Sequence, residues 1–213
     1  MFEGLSFVQV ALALAGGYLL GSIPFGVIAT RLAGAQDVRS IGSGNIGATN
    51  VLRTGRKDLA AITLLGDGGK GAVAVLFAWL ATQDNTLQAQ SVLTAAAAGA
   101  AFLGHLFPVW LKGKGGKGVA TFFGVLLAAA WPVGLLAGAT WIVMAVLFRI
   151  SSLASLTAVA LAPVYVFAVG RPTPIAYLAL FMAILVYVRH TQNIRRLLHG
   201  EEPRIGGAKK AEA

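Results

Sequence analysis

The chain has 213 residues and no cysteine, with 57% hydrophobic residues, 12% charged residues and a mean hydropathy of +0.76. That charged share is about half that of a soluble domain, too little to cover a water-exposed fold, and without thiols there is no disulfide framework, thiolate nucleophile or cysteine-ligated metal. A formal charge of +9 would suit nucleic acid as a partner, but its placement decides otherwise.

Stretches free of Asp, Glu, Lys and Arg cover 4–30, 85–111, 118–148, 150–170 and 172–188. About 20 helical residues cross roughly 30 Å of hydrocarbon, so most of the chain reads as membrane-embedded. The first span runs from about Ser6 to Thr30, preceded by Glu3 and no basic residue, which reads as a retained helix rather than a secretory signal. Pro24, within Gly21-Ser22-Ile23-Pro24-Phe25-Gly26, marks a kink in it. The second, about Leu59 to Ala81, is interrupted by Gly66-Asp67-Gly68-Gly69-Lys70-Gly71, and the third runs from about Gln90 to Leu111. The next stretch, Gly118 to Phe148, would be about 46 Å long as one helix, and Trp131-Pro132 divides it into two spans. The last two run from about Leu153 to Val169 and Pro174 to Val188.

The expected fold is therefore all-α: an integral membrane protein of about seven transmembrane helices, N-terminus outside and C-terminus cytoplasmic, in one domain over 1–205 with a disordered tail over 206–213. This topology puts 15 of the 17 basic residues on the inner side, leaving Lys70 within a span and only Arg171 outside, as the positive-inside bias requires. Fusing 118–148 into one span would push Arg149 and the basic C-terminal segment outside. The arm Val119–Ala130 is the weak point, being about 18 Å long as a helix. Gly134 and Gly138 form a GxxxG pair suited to close helix packing.

Polar, glycine-rich segments gather on the inner side. In Ile41 to Arg53, Gly42, Gly44 and Gly47 let backbone N–H groups converge as in phosphate-binding concavities. Ser43, Asn45, Thr49 and Asn50 add short polar groups, and Arg53 adds a fork matched to phosphate oxygens. A solvated turn that caps the next helix explains this loop equally well taken alone. From Gly104 to Thr121, Lys112, Lys114 and Lys117 alternate with glycines that include Gly116, directly before a helix start; cations at a helix N-terminus favour an anion. His105 taken singly reads as a satisfied structural histidine. Arg149 to Ser155 places Ser151 and Ser152 at a helix start, where N-capping is the plain reading. His190 and Asn193, at i and i+3, share a helical face in a segment that ends at Glu201-Glu202 and that would also suit an interfacial basic helix. Asp67 and Lys70, also at i and i+3 but within a span, read as a structural ion pair.

Phosphate cradles at the lip of an apolar bundle suit a ligand with a phosphate head and a hydrocarbon tail. His105, His190 and His199 all lack the aspartate five positions on that common glycerolipid acyltransferases carry; Trp110, Arg195 and Arg204 stand there instead. An acyl donor used here would already be reactive. The segments SGNIGATNVLR, GHLFPVWLKGKGGKGVAT, RISSLAS and HTQNIRRLLHGEE, with GSIPFG in the first span, resemble the signature segments of bacterial membrane glycerol-3-phosphate acyltransferases that use acyl phosphate. The likeness extends from Gly21 to Glu202.

The resemblance implies a seven-helix enzyme that moves an acyl chain from acyl phosphate to the 1-hydroxyl of sn-glycerol 3-phosphate, giving lysophosphatidate and inorganic phosphate, the first step of phospholipid synthesis. By motif, Ser43 and the turn through Asn50, with Arg53, hold phosphate, and Lys114, Lys117 and their glycines belong to glycerol 3-phosphate. Thr121 closes that segment, and Ser151 or Ser152 lies nearby. His190 and Asn193 serve orientation or chemistry, and Glu202 serves structural integrity. Two departures stand out: Gly68-Gly69 replaces bulkier residues before Lys70, which would loosen that helix, and Lys112-Gly113-Lys114 leaves the substrate-contacting lysine open. No cofactor, metal cluster, coenzyme A site or nucleic-acid partner is expected. A soluble enzyme that makes acyl phosphate is the expected partner at the inner face. A transporter or scramblase for phosphorylated lipid is the alternative, disfavoured by outer loops holding little beyond Asp84, Asn85 and Arg171; a scaffold for a soluble partner would need no phosphate cradle.

Overall fold

The structure, a computed structural model, describes residues 4–206 and is helical with no strand among them. The expected disordered tail beyond Gly206 lies outside the described residues, as does Glu3. Ten α-helices follow in order: α1 Phe7–Gly21, α2 Phe25–Leu32, α3 Ala48–Val51, α4 Lys57–Leu80, α5 Leu87–Leu106, α6 Val119–Ala129, α7 Trp131–Phe148, α8 Ser151–Ala168, α9 Thr173–Arg189 and α10 Thr191–Leu198. Five segments are long and apolar enough to cross a membrane: α1 with α2, α4, α5 with its continuation to Leu111, α7 and α8. A sixth is α9 with α10, which bend by 64° at His190. Large apolar side chains cover the outside, among them Phe7, Leu12, Leu65, Ile142 and Val146, as a surface facing hydrocarbon would have. This is an integral membrane protein.

Pro24 breaks the first span as its fixed φ and missing N–H require: α1 stops at Gly21 and α2 begins after Pro24. Pro132 sits in the first turn of α7, where proline is tolerated, and the chain reverses at Ala130 between α6 and α7.

The short arm has a physical explanation. The Thr121 hydroxyl donates to the Asp67 carbonyl at 2.8 Å, and a Cβ on Gly71 would press on Thr121 and Val125. Asp67 lies ten residues into α4, about 15 Å along it. Hence α6 starts halfway up α4 and runs alongside its second half, after a loop that holds a short 3-10 turn at Val109–Leu111. Eleven residues suffice because α6 packs against only that half of α4.

Small residues set the helix spacings. Cβ atoms on Gly17 and Gly21 would strike the Ala97 and Ala101 carbonyls of α5, so α1 packs backbone to backbone on the alanine-rich face. Of the GxxxG pair, only Gly134 is in such a contact, against Leu127; Gly138 meets nothing. Of the glycines before Lys70, Gly68 has a packing role: its backbone is where Gly124 of α6 packs, and a Cβ on Gly124 would strike it, whereas a Cβ on Gly69 would meet nothing. The main core lies among α5, α6, α8 and α9, around Phe102, Phe122, Val159 and Met182. A smaller one, with Val38, Ile46, Val51 and Leu59, seats the loop between α2 and α3.

Two glycines therefore separate cleanly. Gly124→Ala is expected to lower stability by about 1–3 kcal/mol through overpacking. Gly69→Ala, whose Cβ would meet nothing, is expected to hold or raise stability by about 0.5–1 kcal/mol through helix propensity. Thermal unfolding in detergent reads both.

Candidate active site

All four polar segments meet at one end of the bundle. In the glycine-rich loop, Gly42 and Gly44 adopt φ of +54° and +67°, left-handed conformations open to glycine at little cost. Asn50 is buried and staples the loop. Its Nδ2 donates to the carbonyls of Val38 at 2.8 Å and Ile41 at 3.0 Å, and its Oδ1 accepts from the Ser43 N–H at 3.3 Å. Asn50 is thus committed to the loop's own backbone, whereas Ser43 and Thr49 are exposed and Asn45 and Gly47 half-buried. The Arg53 side chain folds across Gly42, where any Cβ would collide with it. Gly26 of α2 lets the Ile46 carbonyl approach, docking the loop on the bundle.

The lysine-glycine loop folds back under α5. The N–H groups of Gly115 and Gly116 donate to the carbonyls of Leu106 and His105 at 3.2 and 3.1 Å. From α9, Arg189 donates to the carbonyls of Gly116 and Gly115 at 3.1 and 2.8 Å. Gly118, at φ +89°, turns the chain into α6. This clamp selects among the lysines: Lys112 and Lys114 are exposed, whereas Lys117 is half-buried and its Nζ donates to Asn193 Oδ1 at 2.6 Å.

Asn193 passes the connection on. Its Nδ2 donates to Glu202 Oε1 at 2.5 Å, which also accepts from the Ser152 hydroxyl at 2.7 Å, while Arg196 Nε reaches Oε2 at 2.6 Å. Ser152 rather than Ser151 joins the network. Neither caps α8: Ile150 occupies the cap position without a side-chain bond, and both serines lie in the first turn. Thr121 stays out of the site, its hydroxyl committed to α4.

His190 caps the end of α9 at the bend, 3% exposed. Its Nδ1 lies 2.8 Å from the Val186 carbonyl, which only accepts, so Nδ1 carries the proton and Nε2 is the bare nitrogen. The Lys117 pKa is pushed down by burial and by Arg196, Arg53 and Arg189, against the attraction of Glu202. For Glu202 burial acts upward, but the bonds from Asn193, Ser152 and Arg196 together hold it below the usual carboxylate range. Lys117 thus feels Arg53, Arg189 and Arg196 as well as Glu202, and positive charge exceeds negative at the rim of an apolar bundle.

Sequence reasoning overlooked Arg189 and Arg196 as site residues. Their only signal was proximity to His190 and Glu202, and inner-side arginines are explained by topology alone. Asp67 and Lys70 do pair, at 3.0 Å and fully buried, and Lys70 also donates to the Ile23 carbonyl at the α1–α2 break at 2.8 Å. His105 is buried but not satisfied, its Nδ1 lacking a hydrogen-bond partner.

Residues 11–200 match the family model described as glycerol-3-phosphate acyltransferase. Proteins named glycerol-3-phosphate acyltransferase from Caulobacter vibrioides and Rhodospirillum rubrum are 65% and 59% identical over 98% and 92% of this chain and 93% and 90% of theirs. Among solved structures, PlsY, an integral membrane glycerol 3-phosphate acyltransferase in its glycerol 3-phosphate form, superposes with a TM-score of 0.84 at 38% identity, over 92% of this chain and 96% of that one. A second PlsY structure, the lysophosphatidic acid form, gives 0.82 at 37% identity over 92% of this chain and 94% of that one. With the family model spanning nearly all of its helices and relatives this similar, the chain belongs to the glycerol-3-phosphate acyltransferase family.

Proposed function

We propose that this protein transfers an acyl chain from acyl phosphate to the 1-hydroxyl of sn-glycerol 3-phosphate, yielding lysophosphatidate and inorganic phosphate. Family membership supports the acceptor, and the two named forms of the solved relative support the acceptor and product. The observation that carries the chemistry is the connection Lys117–Asn193–Glu202, joined by Ser152 and Arg196, where apolar helices end. With Arg53 and Arg189 also acting on Lys117, positive charge exceeds negative there, which suits phosphate-bearing substrates.

The acceptor phosphate is assigned to Lys117, with Lys114 in reserve at the loop surface and Ser152 and Asn193 holding the network. The donor phosphate is assigned to Arg53 and the glycine-rich turn from Gly42 to Gly47, with Ser43, Thr49 and Asn45 as short polar contacts. Asn50 shapes that loop. The acceptor hydroxyl oxygen bonds to the acyl carbon as the acyl–oxygen bond to phosphate breaks, and the phosphate leaves with the electron pair. Cations prearranged around that oxygen lower the barrier by meeting the charge it gains, and holding both substrates in one cleft supplies proximity. No acyl-enzyme forms. The hydroxyl proton goes to an oxygen of the departing phosphate, which gains charge as the acyl–oxygen bond breaks. His190 Nε2 then serves as a neutral acceptor that orients the hydroxyl.

The site is assigned to the cytoplasmic side with seven traverses, α6 counting as one, on the strength of the basic loops. A soluble acyl-phosphate-producing enzyme is the partner this reading calls for. A transporter of phosphate esters is less well supported because the charged cluster lies at one end only.

Purified protein given acyl phosphate and glycerol 3-phosphate without coenzyme A is expected to form lysophosphatidate; no product would end this reading. Lys117→Met is expected to raise the KM for glycerol 3-phosphate by about tenfold or more, the loss of one charge-assisted bond, with little change for the donor. His190→Ala is expected to keep turnover within about tenfold of wild type, against the 10²–10⁴ typical of a lost general base. The chain lacks cysteine, so Lys114→Cys gives a single labelling site. An impermeant maleimide should reach it in inverted vesicles and not from outside intact cells.

A further inference from the structure

Beneath the lysine-glycine loop lies a buried polar cluster that the reaction above leaves unused. Asp67 and His105 come from α4 and α5, and their side chains are 2% and 3% exposed. The Asp67 carboxylate pairs with Lys70, and Asp67 Oδ1 and His105 Nδ1 stand 3.5 Å apart, neither with a hydrogen-bond partner. A carboxylate only accepts, so the contact forms when Nδ1 carries the proton, and 3.5 Å is longer than a made bond of 2.7–3.2 Å. Lys70 holds the break between α1 and α2, and Thr121 ties the Asp67 backbone to α6. The carboxylate is therefore a fixed point and the imidazole the movable member.

The other edge of that imidazole faces the loop. A Cβ on Gly116 would strike the ring at Nε2, and one on Gly115 would strike the His105 carbonyl. Arg189 donates to the carbonyls of the same two residues. Gly116, one residue before Lys117, is thus held by the guanidinium and lies against the imidazole.

We propose that His105, oriented by Asp67, is a positioning residue for phosphate binding: its ring is the floor under Gly115-Gly116 and sets the depth from which Lys117 reaches Asn193 and the acceptor phosphate. This rests on the assignment of Lys117 to that phosphate. The 3.5 Å gap is slack in the floor, closed by a small tilt of the ring that carries Gly116 with it.

The test compares KM and kcat for both substrates in His105→Ala and His105→Asn, whose amide can still donate to Asp67. His105→Ala is expected to raise the KM for glycerol 3-phosphate roughly tenfold while the donor KM stays constant, and His105→Asn is expected to recover most of that loss. Unchanged acceptor KM, equal shifts for both substrates, or no recovery in His105→Asn would overturn the proposal. A purely structural histidine would lower the thermal midpoint without this split. Should His105→Ala fail to fold, Gly116→Ala reads the same contact: it should raise the acceptor KM, and His105→Asn combined with it should reverse the effect by making room. Independent effects of the two substitutions would count against the floor. The inorganic phosphate concentration that gives half the maximal thermal shift should change in parallel in each variant; it reads phosphate seating without turnover, so wild-type inactivity would strike the acyltransfer reading and leave this one testable.

Discussion

Backbone buried inside a protein must find its hydrogen bonds there, because no water reaches it. That constraint governs the loop between α5 and α6. Its N–H groups at Gly115 and Gly116 turn back to α5 carbonyls, its carbonyls there accept from Arg189, and the Phe107 carbonyl accepts from the Tyr18 hydroxyl at 2.8 Å. Meeting the requirement binds α1, α5, α6 and α9 to one short segment. It also bears on the glycines: a side chain at 115 would strike the carbonyls of His105 and Leu106, and one at 116 would strike the His105 ring.

Charge is handled in two ways at two levels. Halfway along α4, Asp67 and Lys70 neutralise each other, and Lys70 spends a further proton on a carbonyl freed by the Pro24 break; the unpaired alternative would be costly there. At the end of the bundle the balance is left uneven. Glu202 accepts from three side chains and is joined to Lys117 through Asn193, while Arg53, Arg189 and Arg196 act on Lys117. Burial and that repulsion depress Lys117. In the proposed reading a bound phosphate relieves both.

The glycine-rich loop follows a different logic. Asn50 takes on the loop's internal bonds so that the exposed N–H groups and the Arg53 fork need not. A residue that looked like a ligand contact because it is a short donor in a glycine-rich turn is instead the turn's internal brace. The same holds for Thr121, whose hydroxyl joins two helices. Short polar side chains carry no mark in sequence that separates these duties, since both need only a donor at the right distance.

Much of the architecture was legible from composition and punctuation alone. Charge-free runs located the apolar helices because hydrocarbon tolerates few ions. Pro24 and Pro132 placed two breaks because proline forbids an interior helical bond, and the polar segments marked where the chain meets water. Three things were decided only by tertiary contact. The half-length α6 became intelligible once Thr121 was seen against Asp67, since depth is a relation between helices and not a property of one. Lys117, not Lys112 or Lys114, and Ser152, not Ser151, were selected by facing Asn193 and Glu202, and facing depends on how α8 and α10 pack. Arg189 and His105 gained their relation to the loop from a fold-back that spacing does not encode, because the hydrogen bonds that define it join α9 and α5 to a segment with which they share no repeat or pattern.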